Sequence, residues 1–411
     1  MTKRRYPATC WGLVSLWGLW VVILLIGLRS TSVAAAILPA HVLPLQSPPH
    51  IAVSAQNPLH FPNAYGSHPD FPIEWWYITG WLKDRSGHPL GFQLTFFRVR
   101  PAKVWENPSA FNARQLIFAE AAISDPAIGH LLTAQHIARS GLGLAGADQN
   151  HTRVWIRHWF LQQTSSGYRA VIQGKNMGYR LHFQITQAPL LEGPKGISQK
   201  GPDPKNASYY YSIPHLLVSG DVTIKGHGQA VHGEAWLDHE WSAAYLPKAA
   251  VGWDWLGLNL HNGAALMLFM MRRADGSPLW LSATERSADG QVHYFHAGQI
   301  HMQATGWWKS SQTGIRYPAR WQIHVGEQKF SIMPLMDNQE FDASHSSGTI
   351  YWEGAVRATN QGKTLGKGYL EMTGYGGRLA LGASSVSANT KAIRPYRTMQ
   401  KKIPFLQKSG R

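Results

Sequence analysis

The segment Gly233-Glu234-Ala235-Trp236-Leu237-Asp238-His239-Glu240-Trp241-Ser242 packs three acids, a histidine and two tryptophans into one short run. In an extended chain alternate side chains point to opposite faces. Glu234, Trp236, Asp238 and Glu240 then share one face, and Ala235, Leu237, His239 and Trp241 share the other. An acid beside an indole suits proton donation to an apolar substrate, because burial raises a carboxyl pKa and keeps a proton available near neutral pH. The same residue types suit a structural carboxylate that ties a strand to a loop. Two further stretches repeat the pattern: Glu74 beside Trp75, Trp76 and Tyr77, and Asp254 between Trp253 and Trp255. Glu74, Trp76, His239, Glu240, Trp253 and Asp254 are therefore candidate ligand-contacting residues around Asp238. With 18 tryptophans in the chain, most must be core and a minority can line an apolar cavity.

Several familiar chemistries are missing. There is no Gly-x-Ser-x-Gly elbow and no complete Gly-x-x-x-x-Gly-Lys-Ser/Thr phosphate loop. His239-Glu240 opens like a zinc-protease motif, but Ala243 stands where the second histidine belongs. Of His293, His296 and His301, only the first and last share a strand face, too far apart to chelate one ion. Gly141-Leu142-Gly143-Leu144-Ala145-Gly146 carries the letters of a dinucleotide motif without its strand-to-helix context, and reads as a loop. No metal and no cofactor is expected.

The elements that must hold these residues read as strands. The 411 residues are rich in glycine, proline and aromatics, and long helical runs are scarce. Aromatic and β-branched stretches predict strands near 68–82, 91–99, 116–123, 152–162, 168–174, 179–186, 208–212, 215–225 and 229–241. A second series follows at 252–260, 265–272, 279–286, 292–304, 319–326, 349–356 and 366–375. Strands at this spacing predict a barrel or sandwich. Two correspondences suggest an internal duplication: Glu74–Tyr77 with Tyr351–Gly354, and Gly233–Glu240 with Gly368–Tyr375.

The ends carry other information. Residues 1–36 read as a secretory signal, with Lys3-Arg4-Arg5, an apolar run over 11–28 and Ala34-Ala35-Ala36 as a cleavage site. The same run is long enough to stay as a single membrane anchor. Either way the body is exported, periplasmic or secreted. Residues 37–66 read as a linker, and 386–411, with seven Lys/Arg and no acid, as a disordered basic tail. The formal charge of +16 suits anionic lipid headgroups, and nothing resembles a nucleic-acid module. The sole cysteine, Cys10, precedes the apolar run, so stability must come from core burial.

Read in order, Glu74–Gly80, Gly193–Gly196, Ser208–Ser212, Ala235–Ser242 and Gly252–Trp255 together resemble the lipocalin-like family that contains AttH and the carotenoid 1,2-hydratases. The resemblance runs from about residue 60 to 380. It implies an all-β fold of two tandem lipocalin-like barrels or half-barrels, at 67–245 and 246–385. It also implies, for members with an established activity, addition of water to isoprenoid double bonds. In those hydratases an aspartate two residues after a tyrosine resembles a proton donor, with a histidine and a tryptophan two apart on an upstream strand. By spacing the donor falls on Asp238, the tyrosine on Trp236, and the upstream pair on Tyr209 and Tyr211. The expectation is an exported protein binding an apolar, isoprenoid- or lipid-like ligand in a tryptophan-lined cavity of the first barrel. Asp238 would donate the proton, Trp236, Tyr209 and Tyr211 would stabilise the cation through their π-faces, and Glu74, Glu240 or His239 would orient the water. The alternatives are a non-catalytic lipid or lipoprotein carrier, working at the membrane surface or beside an envelope transporter, and a metal-free hydrolase.

Overall fold

The computed structural model describes residues 52–101, 109 and 112–379. The expected leader and basic tail lie outside the described residues, which all belong to one compact unit. The described residues are all-β apart from single 3₁₀ turns. Strands β1 (Ile73–Asp84), β2 (Pro89–Val99), β3 (Leu116–Asp125) and β4 (His130–Arg139) run up and down in sequence order. A second meander follows: β5 (Ala145–Ala147), β6 (Arg153–Ile156), β7 (Trp159–Gln163), β8 (Gly167–Gln173) and β9 (Met177–Gln184). The short β10 (Leu190–Leu191) and β11 (Ile197–Gln199) lead into the long hairpin of β12 (Ala207–Ile224) and β13 (His227–Ser242). Lys225 and Gly226, both at positive φ, supply the turn that matches the twist of its strands. This hairpin joins the meanders, because β13 pairs with β1 and β12 with β9. The thirteen-stranded sheet curls into a nearly closed barrel, and its edge strand β4 touches β5 and β6.

The second sheet repeats the plan. One meander is β14 (Gly252–Leu260), β15 (Ala265–Arg272), β16 (Pro278–Arg286) and β17 (Val292–His296). The other is β18 (Ile300–Lys309), β19 (Arg316–Val325) and β20 (Gln328–Pro334). After the short β21 (Glu340–Ala343), the hairpin of β22 (Thr349–Asn360) and β23 (Lys363–Met372) joins them by pairing with β20 and β14. In this order β23 is the counterpart of β13, so Gly368–Tyr375 starts where Gly233–Glu240 stands in the first sheet. The counterpart of β1 is β14, not β22, so the likeness of Glu74–Tyr77 to Tyr351–Gly354 is not a topological one.

The predicted strand at 292–304 is two strands broken by a 3₁₀ turn at Ala297–Gln299. That at 152–162 is likewise two, turning at Arg157 with φ of 55°. Residues 52–72, expected in part as a linker, pack on the first barrel because they carry apolar anchors. Ala64 and Phe71 are buried, the Phe61 and Tyr65 rings lie 5.1 and 6.0 Å from that of Tyr211, and the Ser54 N–H and C=O both bond the Tyr209 hydroxyl at 3.1 Å.

Each sheet has two apolar faces. The inward face of the first barrel is filled by Trp76, Ile78, Phe92, Phe96, Tyr211 and Leu237 among others. The outward faces of β1, β12 and β13 lie against β14, β15, β22 and β23 through Tyr77, Trp81, Tyr210, Trp236, Trp255 and Phe269. A buried aromatic ring takes roughly 150–250 Å² out of water, worth about 4–6 kcal/mol at ~25 cal/mol per Å². Six such rings fasten one sheet to the other and create the cleft described next.

Candidate active site

Register decides which candidates meet. Across β1 and β13, Glu74 opposes Trp241, Trp76 opposes His239 and Tyr77 opposes Asp238. Across β12 and β13, Tyr210 opposes Glu240, Tyr211 opposes His239 and Ser212 opposes Asp238. Directly opposed residues share a face. Asp238 therefore lies with Glu240, Trp236, Tyr210 and Ser212 on the outward face, between the two sheets. His239, Glu74, Trp76, Tyr209 and Tyr211 lie on the inward face of the first barrel. The expectation that Asp238 faces the barrel interior with Tyr209 and Tyr211 is corrected: the neighbouring Tyr210 meets it instead.

The inward group is a closed network. Arg98 Nε donates to Glu74 Oε2 at 2.7 Å, and His239 Nε2 and His68 Nδ1 lie 2.9 and 2.8 Å from Oε1. Burial alone would raise the Glu74 pKa, but Arg98, His239 and His68 hold it well below the usual carboxylate range. Burial pushes His239 down to about 4, so its ring is neutral. Nε2–H then donates to Glu74, and Nδ1 accepts the Tyr211 hydroxyl at 3.1 Å. Trp76 stacks on His239 at 4.7 Å and Trp241 on His68 at 3.6 Å. His68, Glu74 and His239 form the one cluster of potential metal ligands among the described residues. The Arg98 guanidinium already neutralises their only carboxylate, and a cation placed there would face it. The group pins residues 68–74 to the barrel.

The outward group surrounds a cleft of about 50 Å³ between the sheets, room for a few waters beside its acids. One wall is Trp75, Tyr77, Tyr210, Asp238, Glu240 and Tyr245, and the other is Trp253, Trp255, Tyr351, Glu353 and Glu371. Asp238 accepts three hydrogen bonds: Tyr210 Oη to Oδ2 at 2.7 Å, and Ser212 Oγ and Trp236 Nε1 to Oδ1 at 2.6 Å each. Trp255 Nε1 donates to the Tyr210 hydroxyl at 2.9 Å and aims it. Among the described residues no cation pairs with Asp238. Burial pushes its pKa up to about 7, against the pull of its three donors. Glu240 is paired with the buried Lys200 at 2.9 Å; the Lys200 ammonium also lies over the rings of Tyr210, Tyr245 and Phe269 at 4.3–5.3 Å.

On the opposite wall Glu353 and Glu371 are directly opposed across β22 and β23. Neighbouring carboxyls resist ionising together. Burial first, and then the charge of Glu371, push Glu353 well above the usual range, while burial carries Glu371 to about 8. Gln93 Nε2 holds Glu353 Oε2 at 2.8 Å, and Trp253 Nε1 holds Glu371 Oε2 at 3.1 Å. Glu353 Oε1 and the Tyr77 hydroxyl have no close partner beyond their pull on each other, on a cleft wall that a water or a ligand can reach. Trp253 reaches the cleft, as its aromatic neighbourhood implied. Asp254 does not: it faces the second sheet's own interior, 3.0 Å from Arg272. A larger cleft of about 310 Å³ at Trp81, Lys83, Glu234 and Lys367 contains no buried acid and is unsuited to proton donation.

The profile of the AttH-like family matches residues 52–375. The chain belongs to the AttH-like family. Its likeness to a solved AttH candidate from Nitrosomonas europaea is 43% identity over 79% of this chain and 99% of that one, with a TM-score of 0.74. Kievitone hydratase from Nectria haematococca shares the fold, with 14% identity, a TM-score of 0.59, and 78% and 94% of the two chains covered. No protein with a curated description matches in sequence. Within this AttH-like chain, Glu192, Lys200, Tyr210, Ser212, Glu353 and Glu371 were not assigned to the site from sequence. Two signals were available: Glu353 and Glu371 sit in the aromatic stretches of the internal repeat, and Tyr210 and Ser212 sit in Ser208–Ser212, one of the stretches that carry the resemblance.

Proposed function

We propose that this AttH-like protein is a hydratase-like enzyme that binds the unsaturated end of an apolar, isoprenoid- or lipid-like ligand between its two sheets. One observation carries this reading: Asp238, fully buried without a paired cation, holds its pKa near 7 on the wall of an aromatic cleft. Neutral Asp238 protonates one carbon of the double bond. The faces of Tyr77, Tyr245 and Trp255 stabilise the resulting cation, and Glu240, on the same cleft wall and ion-paired with Lys200, takes a proton from the water that adds to it. The cleft's small volume suits the reacting double bond and one water, so the rest of the ligand extends past Trp75 and Trp253. The fold shared with kievitone hydratase supports the reaction class only in outline.

The test uses organic extracts of the purified protein, profiled by mass spectrometry before and after incubation in oxygen-labelled water. The wild type should release a ligand that has gained one labelled water, and Asp238→Asn should release it unchanged. The same unaltered ligand from both proteins would sink the enzyme reading in favour of a carrier.

A further inference from the structure

We propose that Glu192 is the proton reservoir of this cleft and reloads Asp238 through the hydroxyl of Ser212. The role as reservoir rests on the acid reading of Asp238; the sharing of a proton does not. Glu192 follows β10, and its N–H donates to the Tyr210 carbonyl at 3.1 Å, which hooks it to β12 behind the cleft. Ser212 Oγ lies 2.8 Å from Glu192 Oε1 and 2.6 Å from Asp238 Oδ1. All three residues are buried, so water does not compete.

A hydroxyl carries one hydrogen, yet here it stands between two carboxyl oxygens, both of them acceptors when ionised. The serine's hydrogen fills one contact. The other is a hydrogen bond only if that carboxyl carries a proton and donates it to Oγ. The trio therefore holds one carboxyl proton, and its resting place follows from the remaining partners. Asp238 has two further donors, Tyr210 and Trp236, which favour the ionised form. Glu192 Oε2 has no partner at close hydrogen-bonding distance among the described residues, and although Thr284 pulls the group toward its ionised form, burial outweighs it and favours the neutral form. At rest Glu192 is the acid, donating to Ser212, and Ser212 donates to Asp238. In transfer the Glu192 Oε1–H bond breaks and its proton joins Ser212 Oγ, while the original Ser212 proton passes to Asp238 Oδ1. Glu192 ends as a carboxylate, Asp238 as a neutral acid, and the serine is unchanged.

The surrounding charges pull the other way, cations toward a Glu192 carboxylate and anions toward a neutral Asp238, and the burial of Glu192 outweighs them. Lys200, Arg286, Tyr294 and Thr284 face Glu192, and Glu240 and Glu371 face Asp238 from the two sides of the cleft. Burial, then the Asp238 charge, push Glu192 up to about 8, just above Asp238 at about 7. Two acids so closely matched exchange a proton at little cost.

Titration of the whole protein by NMR, with ¹³C-labelled Asp and Glu carboxyls, tests this without any ligand. The wild type should show two glutamate midpoints near 8, from Glu192 and Glu371, and an aspartate midpoint near 7, with Glu192→Gln assigning the first. Glu192→Gln should remove the Glu192 midpoint and leave that of Asp238 near 7, because Glu192 is already neutral where Asp238 titrates. Ser212→Ala, which removes the shared donor, should raise both midpoints, and it decides the matter should Glu192→Gln fail to fold. A Glu192 midpoint in the ordinary carboxylate range, or an Asp238 midpoint unmoved by Ser212→Ala, overturns the proposal. Loss of ligand conversion in Asp238→Asn bears on the acid reading instead, so the two failures are separable.

Discussion

Replacing Asp238 by asparagine changes one titrating group and little of its shape, so the stability difference between the two proteins isolates that group. The folded Asp238 pKa is about 7 against an ordinary 3.8. A raised folded pKa means that the native state binds more protons than the unfolded chain between those values. Its contribution is fully present below pH ~4 and is lost as pH rises to about 7. Each tenfold change in proton affinity is worth about 1.4 kcal/mol, so the wild type loses roughly 4 kcal/mol to this group over that window. Asparagine stays neutral and loses none of it. Its carbonyl keeps the Trp236 and Ser212 bonds, while its amide turns the Tyr210 contact around. Asp238→Asn should thus lie within about 1 kcal/mol of wild type near pH 4.5 and gain on it by several kcal/mol at pH 8. Urea denaturation of both proteins across this range gives the difference curve, in which the other buried acids largely cancel. A flat curve would show that Asp238 titrates normally. A loss of roughly 3–5 kcal/mol at pH 8 would show an ionised carboxylate balanced by buried charge, and either result refutes the acid assignment.

Two other substitutions should behave differently. Glu74→Gln leaves Arg98 buried without its carboxylate and should cost about 3–5 kcal/mol at neutral pH. Because the folded Glu74 pKa is depressed, that gap should close only as pH falls below about 4.5, which acid denaturation of the two proteins would reveal. Lys200→Met strands Glu240, whose pKa burial already raises. It should cost up to about 3–5 kcal/mol at pH 8 and much less at pH 5, where Glu240 takes up a proton. An equal loss at both pH values would mean that Lys200 acts by packing on Tyr210, Tyr245 and Phe269 rather than by charge.

Most strands were legible because their side chains alternate or run apolar with aromatic and β-branched residues. The longest strand that was not, β4, shows why. His130–Arg139 has several half-exposed or exposed positions, as edge strands commonly do, and its polar residues hide the pattern. The pairing of candidates was harder. Tyr209, Tyr210 and Tyr211 are chemically alike, and only the register of β12 on β13 tells which of them shares a face with Asp238. A shift of one residue moves a side chain to the other face of a sheet. Spacing aligned to a motif elsewhere gave Tyr209 and Tyr211, and hydrogen bonding in this chain gave Tyr210.

The location of the site turned on a different question: what covers the outward face of the first barrel. A lipocalin-like expectation directs attention to the barrel interior, and acids on the opposite face read as solvent-exposed. The sequence nevertheless held a contrary sign. A strand with one wet face alternates apolar and polar residues, whereas one covered on both sides is apolar on both. In β13 every residue from Ala235 to Ser242 is buried, and its outward positions include Trp236 next to two acids. Beside it, β1 carries Tyr77 and Trp81 outward and Trp76 and Ile78 inward. Strands this apolar on both faces require a second layer, and acids trapped under that layer cannot be solvated charges. Without enough cations to neutralise them, they must hold protons. The chemistry of the cleft therefore follows from the same residues that bind the two sheets together.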